Sequence, residues 1–393
     1  MSTHAIARQL PASRVIVVAI GMIAAWALAI GFIYPAVTLN MQNRGASASL
    51  IGWLGAMNGF GIVANAIFLP AIVARFGRWP AAFASLFGMA ASILGFALVE
   101  WVPAWFALRF LLGFFNNIIF VVGETWINEA VDDSRRGRVI AIYTSVIALT
   151  FSAGPLLVPV LGVSGFQAYG TVALVIALLG LPMWMLRSLR DAREPLPGST
   201  AALYRRVIVM MALPMVAVAA FAAFDGATLA LWVVYAQERG LSERAATLTL
   251  TALIAGNALL QLPIGWLADR MRRRVLIVLL SAVIVVGSAL IGFVDLSSVF
   301  GVVYLVVWGA AAFGVYTIAL VVIGQRLKGR ELVAANAAFG VMWGLFALVG
   351  SAATGAAMDA VGPVGLPIVI AMAYLLLMAT GLLAGSTRED QDR

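Results

Sequence analysis

The chain has 393 residues, of which 63% are hydrophobic and only 11% are charged, and its formal net charge is +8. Soluble domains average about a quarter charged residues, so this chain is too apolar for one. Its apolar runs exceed the roughly 18 to 20 residues that span a bilayer as a helix. They lack the alternating segments of about ten residues that a membrane β-barrel would show. The composition therefore predicts an all-α integral membrane protein.

The rarer residue types exclude several kinds of chemistry. The chain has no cysteine, one histidine, His4, and one lysine, Lys328. Disulfides, thiol catalysis, Cys-based metal sites and a Ser–His mechanism are therefore excluded. No G-x-x-x-x-G-K-[ST] phosphate loop is present either. We expect no enzymatic activity, no metal and no cofactor, with a proton gradient as the energy source.

About twelve apolar runs are long enough to span a membrane. In the first half they cover residues 15–39, 49–74, 79–100, 103–131, 138–161 and 165–187. In the second half they cover residues 206–236, 244–268, 274–294, 299–325, 331–358 and 363–385. The first run is too long for the apolar region of a signal peptide, so we interpret it as a retained span. The pattern predicts an N-terminal six-helix bundle at 1–187, a polar cytoplasmic linker at 188–205 and a C-terminal six-helix bundle at 206–393.

The arginines indicate an orientation. Connections after even-numbered spans carry Arg75, Arg78, Arg135, Arg136, Arg138, Arg187, Arg190, Arg193, Arg205, Arg206, Arg270, Arg272, Arg273, Arg274, Arg326, Lys328 and Arg330. Connections after odd-numbered spans carry only Arg44, Arg239 and Arg244. Because basic residues stay on the cytoplasmic side, both termini and the linker are predicted to be cytoplasmic. This placement also explains the net charge without nucleic acid as a partner.

The two halves repeat at a spacing of about 195 positions. Asn43-Arg44-Gly45 matches Glu238-Arg239-Gly240, and Leu69-Pro70 matches Leu262-Pro263. Arg136-Gly137-Arg138 matches Lys328-Gly329-Arg330 in the same way. Parallel repeats related by an axis along the membrane normal are typical of transporters whose site lies at the repeat interface.

These features resemble the major facilitator superfamily over essentially the whole chain. GWLADRMRRR, at 265–274, resembles the loop motif G-x-L-A-D-R-x-G-R of that family, whereas the first-half copy has Ala74 in place of the aspartate. RFLLG, at 109–113, resembles the fourth-helix arginine motif, and Gly154-Pro155 resembles a reduced fifth-helix antiporter motif. ETWIN, at 124–128, is similar to a branch of poorly characterised bacterial members. The resemblance implies two six-helix bundles and a central cavity lined by helices 1, 4, 7 and 10.

Charged residues inside the spans are the first candidates for function, because charge in lipid is costly. Arg109 shares one helical face with Gly113, Asn116 and Phe120 in the fourth span. It is either a partner of the solute or the proton, or one member of a structural ion pair. Asp225 in the seventh span shares a stripe with Thr228 and Trp232, and is either functional or a packing device. The resemblance places Arg109 and Asp225 on opposite walls of the cavity. Weaker candidates for its lining are Tyr34, Asn257, Gln261, Trp308 and Tyr316.

A second group of residues is predicted to act in gating. The resemblance implies that Asp269 meets the start of the fifth helix near Arg138 and holds the cytoplasmic side closed. Glu124 lies near that end of its helix and is either a structural partner of Arg138 or a proton carrier. The other gating candidates are Arg75, Arg78, Arg136, Gly265, Arg270 and Arg273. Because Ala74 replaces the aspartate in the first half, we expect an asymmetric gate.

The sequence therefore predicts a monomeric secondary transporter of the cytoplasmic (inner) membrane. Its partners would be a small-molecule substrate and the lipid bilayer. Proton-coupled efflux of a drug-like or amphipathic solute is favoured slightly over proton-coupled uptake of a metabolite. A transporter-like sensor that binds without translocating stays open as a third alternative.

Overall fold

A computed structural model describes residues 12–131, 136–191, 201–327 and 329–383. Within these ranges the chain forms twelve long helices, which we label α1 to α12. They are Ala12–Asn43, Ala48–Phe76, Arg78–Leu98, Val102–Ala130, Arg136–Leu161, Gly165–Gly180, Ala212–Glu238, Glu243–Arg270, Arg273–Leu290, Val299–Arg326, Gly329–Val361 and Gly365–Leu383. A 3₁₀ helix, Leu181–Asp191, follows α6, and a short helix, Ala201–Met210, precedes α7.

The predicted membrane architecture is confirmed. Eleven stretches of the described chain are long and apolar enough to cross a membrane, and the last one, 337–383, contains most of α11 and all of α12. Prolines lie inside several of these helices, including Pro35, Pro70 and Pro263. Membrane helices tolerate such prolines because neighbouring groups satisfy the freed backbone.

The outer faces of the helices are apolar. Val160, Leu262 and Phe293 are among many large hydrophobic side chains that stay exposed. An exposed apolar surface of this extent would be unfavourable in water, and it matches the hydrocarbon that surrounds a membrane protein.

The predicted repeat is visible in two matching turns. Gly45 ends α1 and Gly240 ends α7, both with positive φ (77° and 86°). In each turn the amide three residues past the helix donates a hydrogen bond back to the last turn, from Ala46 to the Met41 carbonyl (3.0 Å) and from Leu241 to the Ala236 carbonyl (3.1 Å). A positive φ favours glycine, so the repeated glycine has a structural reason.

The repeat extends to the closest helix crossings. Gly31 of α1 packs on Gly154 of α5, and Gly226 of α7 packs on Ala347 of α11. Gly61 of α2 likewise meets α4 at Gly113, and Gly256 of α8 meets α10 near Gly309. A Cβ at any of these glycines would meet the backbone of the neighbouring helix. Small residues allow this close approach, which is how helices associate in lipid.

The chain divides into two compact units. Unit 1 comprises residues 1–40 and 57–198, and unit 2 comprises residues 41–56 and 199–393. The first nine residues of α2 therefore group with the second unit, although the rest of that helix belongs to the first.

Candidate functional site

Arg109 lies in the interior of unit 1. It is 1% exposed, and its guanidinium carbon lies 4.0 Å from the centroid of the Tyr34 ring on α1. Its Nε and Nη1 atoms are buried and have no hydrogen-bond partner. The ion pairs of the described residues are Arg78–Glu129 and Arg206–Glu331, so no described carboxylate pairs with Arg109. Among these residues its main neighbour is therefore an aromatic face, which attracts a cation weakly.

Two amide pairs join α4 to α2. Asn116 donates to the Asn58 side-chain oxygen (3.3 Å), and Asn117 donates to that of Asn65 (2.8 Å). Both pairs flank the close crossing at Gly61 and Gly113. Asn116 is thus already engaged in helix packing. The sequence analysis did not consider Asn58 and Asn65, although their spacing of seven places them on one face of α2.

Asp225 lies in the interior of unit 2. Every residue of α7 from Ala217 to Ala236 is buried, and Asp225 is 7% exposed. No described group makes a hydrogen bond to its carboxylate. The Tyr374 hydroxyl of α12 lies near it and is buried without a hydrogen-bond partner among the described residues. Thr228 bonds back to the Phe224 carbonyl (2.8 Å) and so does not supply a partner.

The other predicted cavity-lining residues of unit 2 fall into two groups. Trp232 and Trp308 are fully buried with rings 6.1 Å apart, and their indole nitrogens donate to Thr249 (3.0 Å) and to the Ile284 carbonyl (3.2 Å). Such satisfied, buried rings stabilise the interior. By contrast, Tyr316, Asn257 and Gln261 are only partly buried.

This second group forms a partly exposed polar edge on α8 and α10. The Tyr316 ring packs on Phe221 at 4.7 Å. Gln261 donates to the Thr317 hydroxyl, and its own side-chain oxygen is buried without a partner. A carboxamide with one unsatisfied atom beside an aromatic ring can accept a hydrogen bond from a polar solute.

Three gating candidates of unit 1 have described neighbours. Glu124 accepts a hydrogen bond from the Tyr143 hydroxyl of α5 (3.2 Å). Arg78 pairs with Glu129 at the end of α4 (2.7 Å). Arg75 is exposed, 5.6 Å from the ring of Phe76. The side chains of Arg136 and Arg138 lie outside the described residues, so a contact of either with Glu124 or Asp269 stays a prediction.

The loop motif of unit 2 is largely exposed. Asp269 and Arg270 both lie at the surface, with the Arg270 guanidinium 3.6 Å from the Trp266 ring centroid. Gly265 has open space where a Cβ would stand. Arg273 donates to Gln325 at the end of α10, the repeat position of the Arg78–Glu129 contact. The two halves thus use the same contact, ionic in unit 1 and neutral in unit 2.

A further contact, absent from the sequence predictions, lies at the opposite helix ends. The Asp359 carboxylate of α11 accepts hydrogen bonds from the amides of Ala48 (2.9 Å) and Ser49 (3.0 Å) at the start of α2. An anion is favoured there because the first amides of a helix are free and carry positive charge. Next to this contact, Gly52 and Gly355 allow the backbones of α2 and α11 to approach closely. We call these residues the α2–α11 clasp.

Two repeated six-helix arrangements with few buried charges and many exposed apolar side chains define a multi-pass membrane transporter. The family model of the Major Facilitator Superfamily matches residues 15–224 and 213–392. The chain belongs to this superfamily of secondary transporters.

Relatives support the same family. The MFS-type transporter YfkF of Bacillus subtilis (strain 168) is 25% identical over 334 residues, which cover 83% of this chain and 84% of YfkF. YcaD of Shigella flexneri is 24% identical over 323 residues, covering 82% and 83%. Both relatives carry the description "uncharacterized".

Solved structures show the same fold. A crystal structure of the nucleoside transporter NupG matches with a TM-score of 0.75 at 14% identity, and that of a NupG variant with a TM-score of 0.77 at 15% identity. These matches cover 96% of this chain and 99% and 100% of the NupG chains. The expected fold class is therefore confirmed.

Proposed function

We propose that this protein moves a small organic solute across the cytoplasmic (inner) membrane by proton-coupled alternating access. The observation that carries the proposal is a buried charge in each unit without an ionic partner among the described residues. These charges are Arg109 in unit 1 and Asp225 in unit 2. A buried charge that only stabilised the fold would be expected to have a counter-ion, so charges held without one favour a transported ligand or proton.

Asp225 is the proposed proton carrier. Burial in an apolar bundle disfavours a carboxylate, and a proton removes that penalty. The Tyr374 hydroxyl is a nearby polar group that could donate to the charged form. Gly226, next to Asp225, keeps α7 tight against α11, so a change of charge at this point acts on a packed helix crossing.

The proposed direction is efflux, with uptake as the second candidate. The partly exposed aromatic and amide edge on α8 and α10 suits an amphipathic solute with hydrogen-bonding groups. Two observations favour uptake instead: the reduced fifth-helix motif at Gly154-Pro155, and the likeness in fold to the nucleoside transporter NupG. A nucleoside also offers a ring for stacking and polar edges for Gln261 and Asn257.

We further propose a monomer with both termini and the 188–205 linker in the cytoplasm. The support is the arginine asymmetry between the two sets of connections. The partners are the bilayer and the solute, without a cofactor or nucleic acid.

The test is proton movement in proteoliposomes that contain a pH-sensitive dye. Ethidium, benzoate and uridine represent an amphipathic cation, an organic acid and a nucleoside. We expect at least one of them to change the internal pH, when it is added on one side, by more than in protein-free liposomes. Asp225→Asn should abolish gradient-driven accumulation of that solute and retain its exchange. Transport of a solute without any proton movement or pH dependence would contradict the coupling.

A further inference from the structure

The interior of unit 1 contains polar groups that can donate hydrogen bonds and lack acceptors. Besides Nε and Nη1 of Arg109, the Trp26 indole nitrogen on α1 and the Ser152 hydroxyl on α5 are buried without a hydrogen-bond partner. Arginine and indole nitrogens can only donate, and a serine hydroxyl can donate as well. Leaving such a donor unsatisfied is unfavourable, and more so for a charged group. These groups are therefore suited to an acceptor that the described chain does not supply.

Helix packing brings Arg109 of α4 and Ser152 of α5 to the stretch of α1 that contains Trp26. Tyr34 lies against Arg109 and Trp26 lies against Phe120, with ring centroids 5.3 Å apart, so α1 and α4 run antiparallel. Gly31, between Trp26 and Tyr34, packs on the backbone of Phe151, the neighbour of Ser152. At a rise of 1.5 Å per residue, Trp26 and Tyr34 are about 12 Å apart along the helix. That length matches a small organic molecule.

The side chains differ in exposure along this stretch. Arg109 and Tyr34 are buried at one end, whereas Trp26, Phe120 and Ser152 are partly exposed. A charged donor at the closed end and aromatic rings at the more open end suit a solute with one acidic group and one apolar part. An arginine donates charge-assisted hydrogen bonds to a carboxylate, and a desolvated site strengthens them.

We propose that unit 1 binds the acidic group of an organic anion at Arg109, with Trp26 and Phe120 contacting the apolar part. This assignment rests on the proposed function and narrows its substrate class to aromatic or amphipathic organic acids. The carboxylate then provides the counter-charge that Arg109 lacks among the described residues.

The test uses the absence of cysteine from the chain. Ser152→Cys and Tyr34→Cys each introduce one thiol into purified full-length protein in liposomes. The rates of modification by an anionic methanethiosulfonate (the sulfonatoethyl reagent) and a cationic one (the trimethylammonium-ethyl reagent) are then compared. We expect Arg109→Gln to lower the anionic-to-cationic rate ratio about tenfold, which corresponds to about 1.4 kcal/mol. Arg109→Lys, which keeps the charge, should preserve most of the ratio.

Ser297→Cys is the matched control, because Ser297 is an exposed residue of the α9–α10 connection. The anionic-to-cationic rate ratio at this thiol should not change when Arg109 is replaced. An unchanged ratio at both reporters overturns the anion site. So does failure of both thiols to react with either reagent, since a solute could not reach them.

A transport assay distinguishes failure of this inference from failure of the proposed function. Proteoliposomes are tested with benzoate and with its neutral amide, benzamide. Preference for benzoate that is lost in Arg109→Gln supports the inference. A preference for benzoate that persists in Arg109→Gln overturns the inference and leaves the transporter intact. A rate ratio that depends on Arg109, in a protein that moves no solute, supports the anion site and contradicts the proposed transport.

Discussion

Three arginines at helix contacts have different partners. Arg78 is paired with Glu129, and Arg273 contacts the neutral Gln325 at the repeat position. Arg109 contacts the face of Tyr34. The paired charge of Arg78 contributes to holding α3 against α4, whereas Arg109 has no ionic partner among the described residues and is available to a ligand. The surroundings of each arginine, rather than its presence in a span, therefore indicate its role.

The Arg78–Glu129 pair should contribute measurably to stability. The side chains are 10% and 46% exposed, so water replaces part of the interaction when Glu129 is removed. We expect Glu129→Ala to lower the free energy of unfolding by about 1 to 2 kcal/mol, between the values for exposed and buried pairs. Glu129→Gln, which copies the Arg273–Gln325 contact, should cost less. Thermal unfolding in detergent measures the stability of both Glu129 variants, and Arg75→Ala, at an exposed arginine, is the control. Equal stability of Glu129→Ala and the parent protein would exclude a stabilising role of the ion pair.

At the scale of helices, the repeated crossings set how closely the elements approach. Gly31 with Gly154, and Gly226 with Gly350, occupy equivalent positions about 195 residues apart. Dispersion and small-residue packing hold such helices together, because lipid supplies no hydrophobic driving force between them. The crossings should therefore be intolerant of even one added methyl group.

Gly31→Ala tests this intolerance against a control on the same helix. A Cβ at Gly31 would meet the carbonyl of Phe151, whereas Gly21 has nothing within 4 Å of that position. We expect Gly31→Ala to lower stability by about 1 to 3 kcal/mol through overpacking. Gly21→Ala should be neutral or raise stability by up to about 1 kcal/mol through helix propensity. Thermal unfolding measures the stability of the two variants. Equal changes in stability for Gly31→Ala and Gly21→Ala would argue against a tight crossing at Gly31.

The α2–α11 clasp is the element most suited to a conformational test. Asp359 binds the first amides of α2, and both helices belong to unit 2 at that point. We expect Ser49→Cys with Asp359→Cys to form a disulfide on oxidation, since the residues are in contact. If the clasp opens during transport, the cross-link should stop transport and a reducing agent should restore it.

Each single-cysteine variant is the control for that experiment. Oxidant should leave their transport unchanged. Undiminished transport by the fully cross-linked protein would show that the clasp stays closed through the cycle.

At the scale of the molecule, the sequence predicted what depends on local pattern. Apolar runs located the helices, and the repeated Asn-Arg-Gly and Glu-Arg-Gly turns placed the glycines with positive φ. The inward position of Arg109 also followed from its cost in lipid. Each of these features depends on a few neighbouring residues or on hydrophobicity alone.

Contacts between distant helices could not be predicted in this way. Asp359 with the start of α2, and Asn116 with Asn58, depend on how helices are rotated and spaced. The same holds for Glu124, which contacts Tyr143 rather than any described arginine. Trp232, on the stripe of Asp225, and Trp308, a weaker candidate, were predicted to line a cavity, but both are buried and their indole nitrogens already have acceptors.

The most direct test of alternating-access transport is counterflow with an unbiased mixture of solutes. Proteoliposomes are loaded with an unlabelled bacterial extract, placed in a ¹³C-labelled extract, and their contents are followed by mass spectrometry. We predict that at least one labelled solute enters faster than into protein-free liposomes. Labelled solutes that enter no faster than into protein-free liposomes, with correctly folded protein present, would contradict the account.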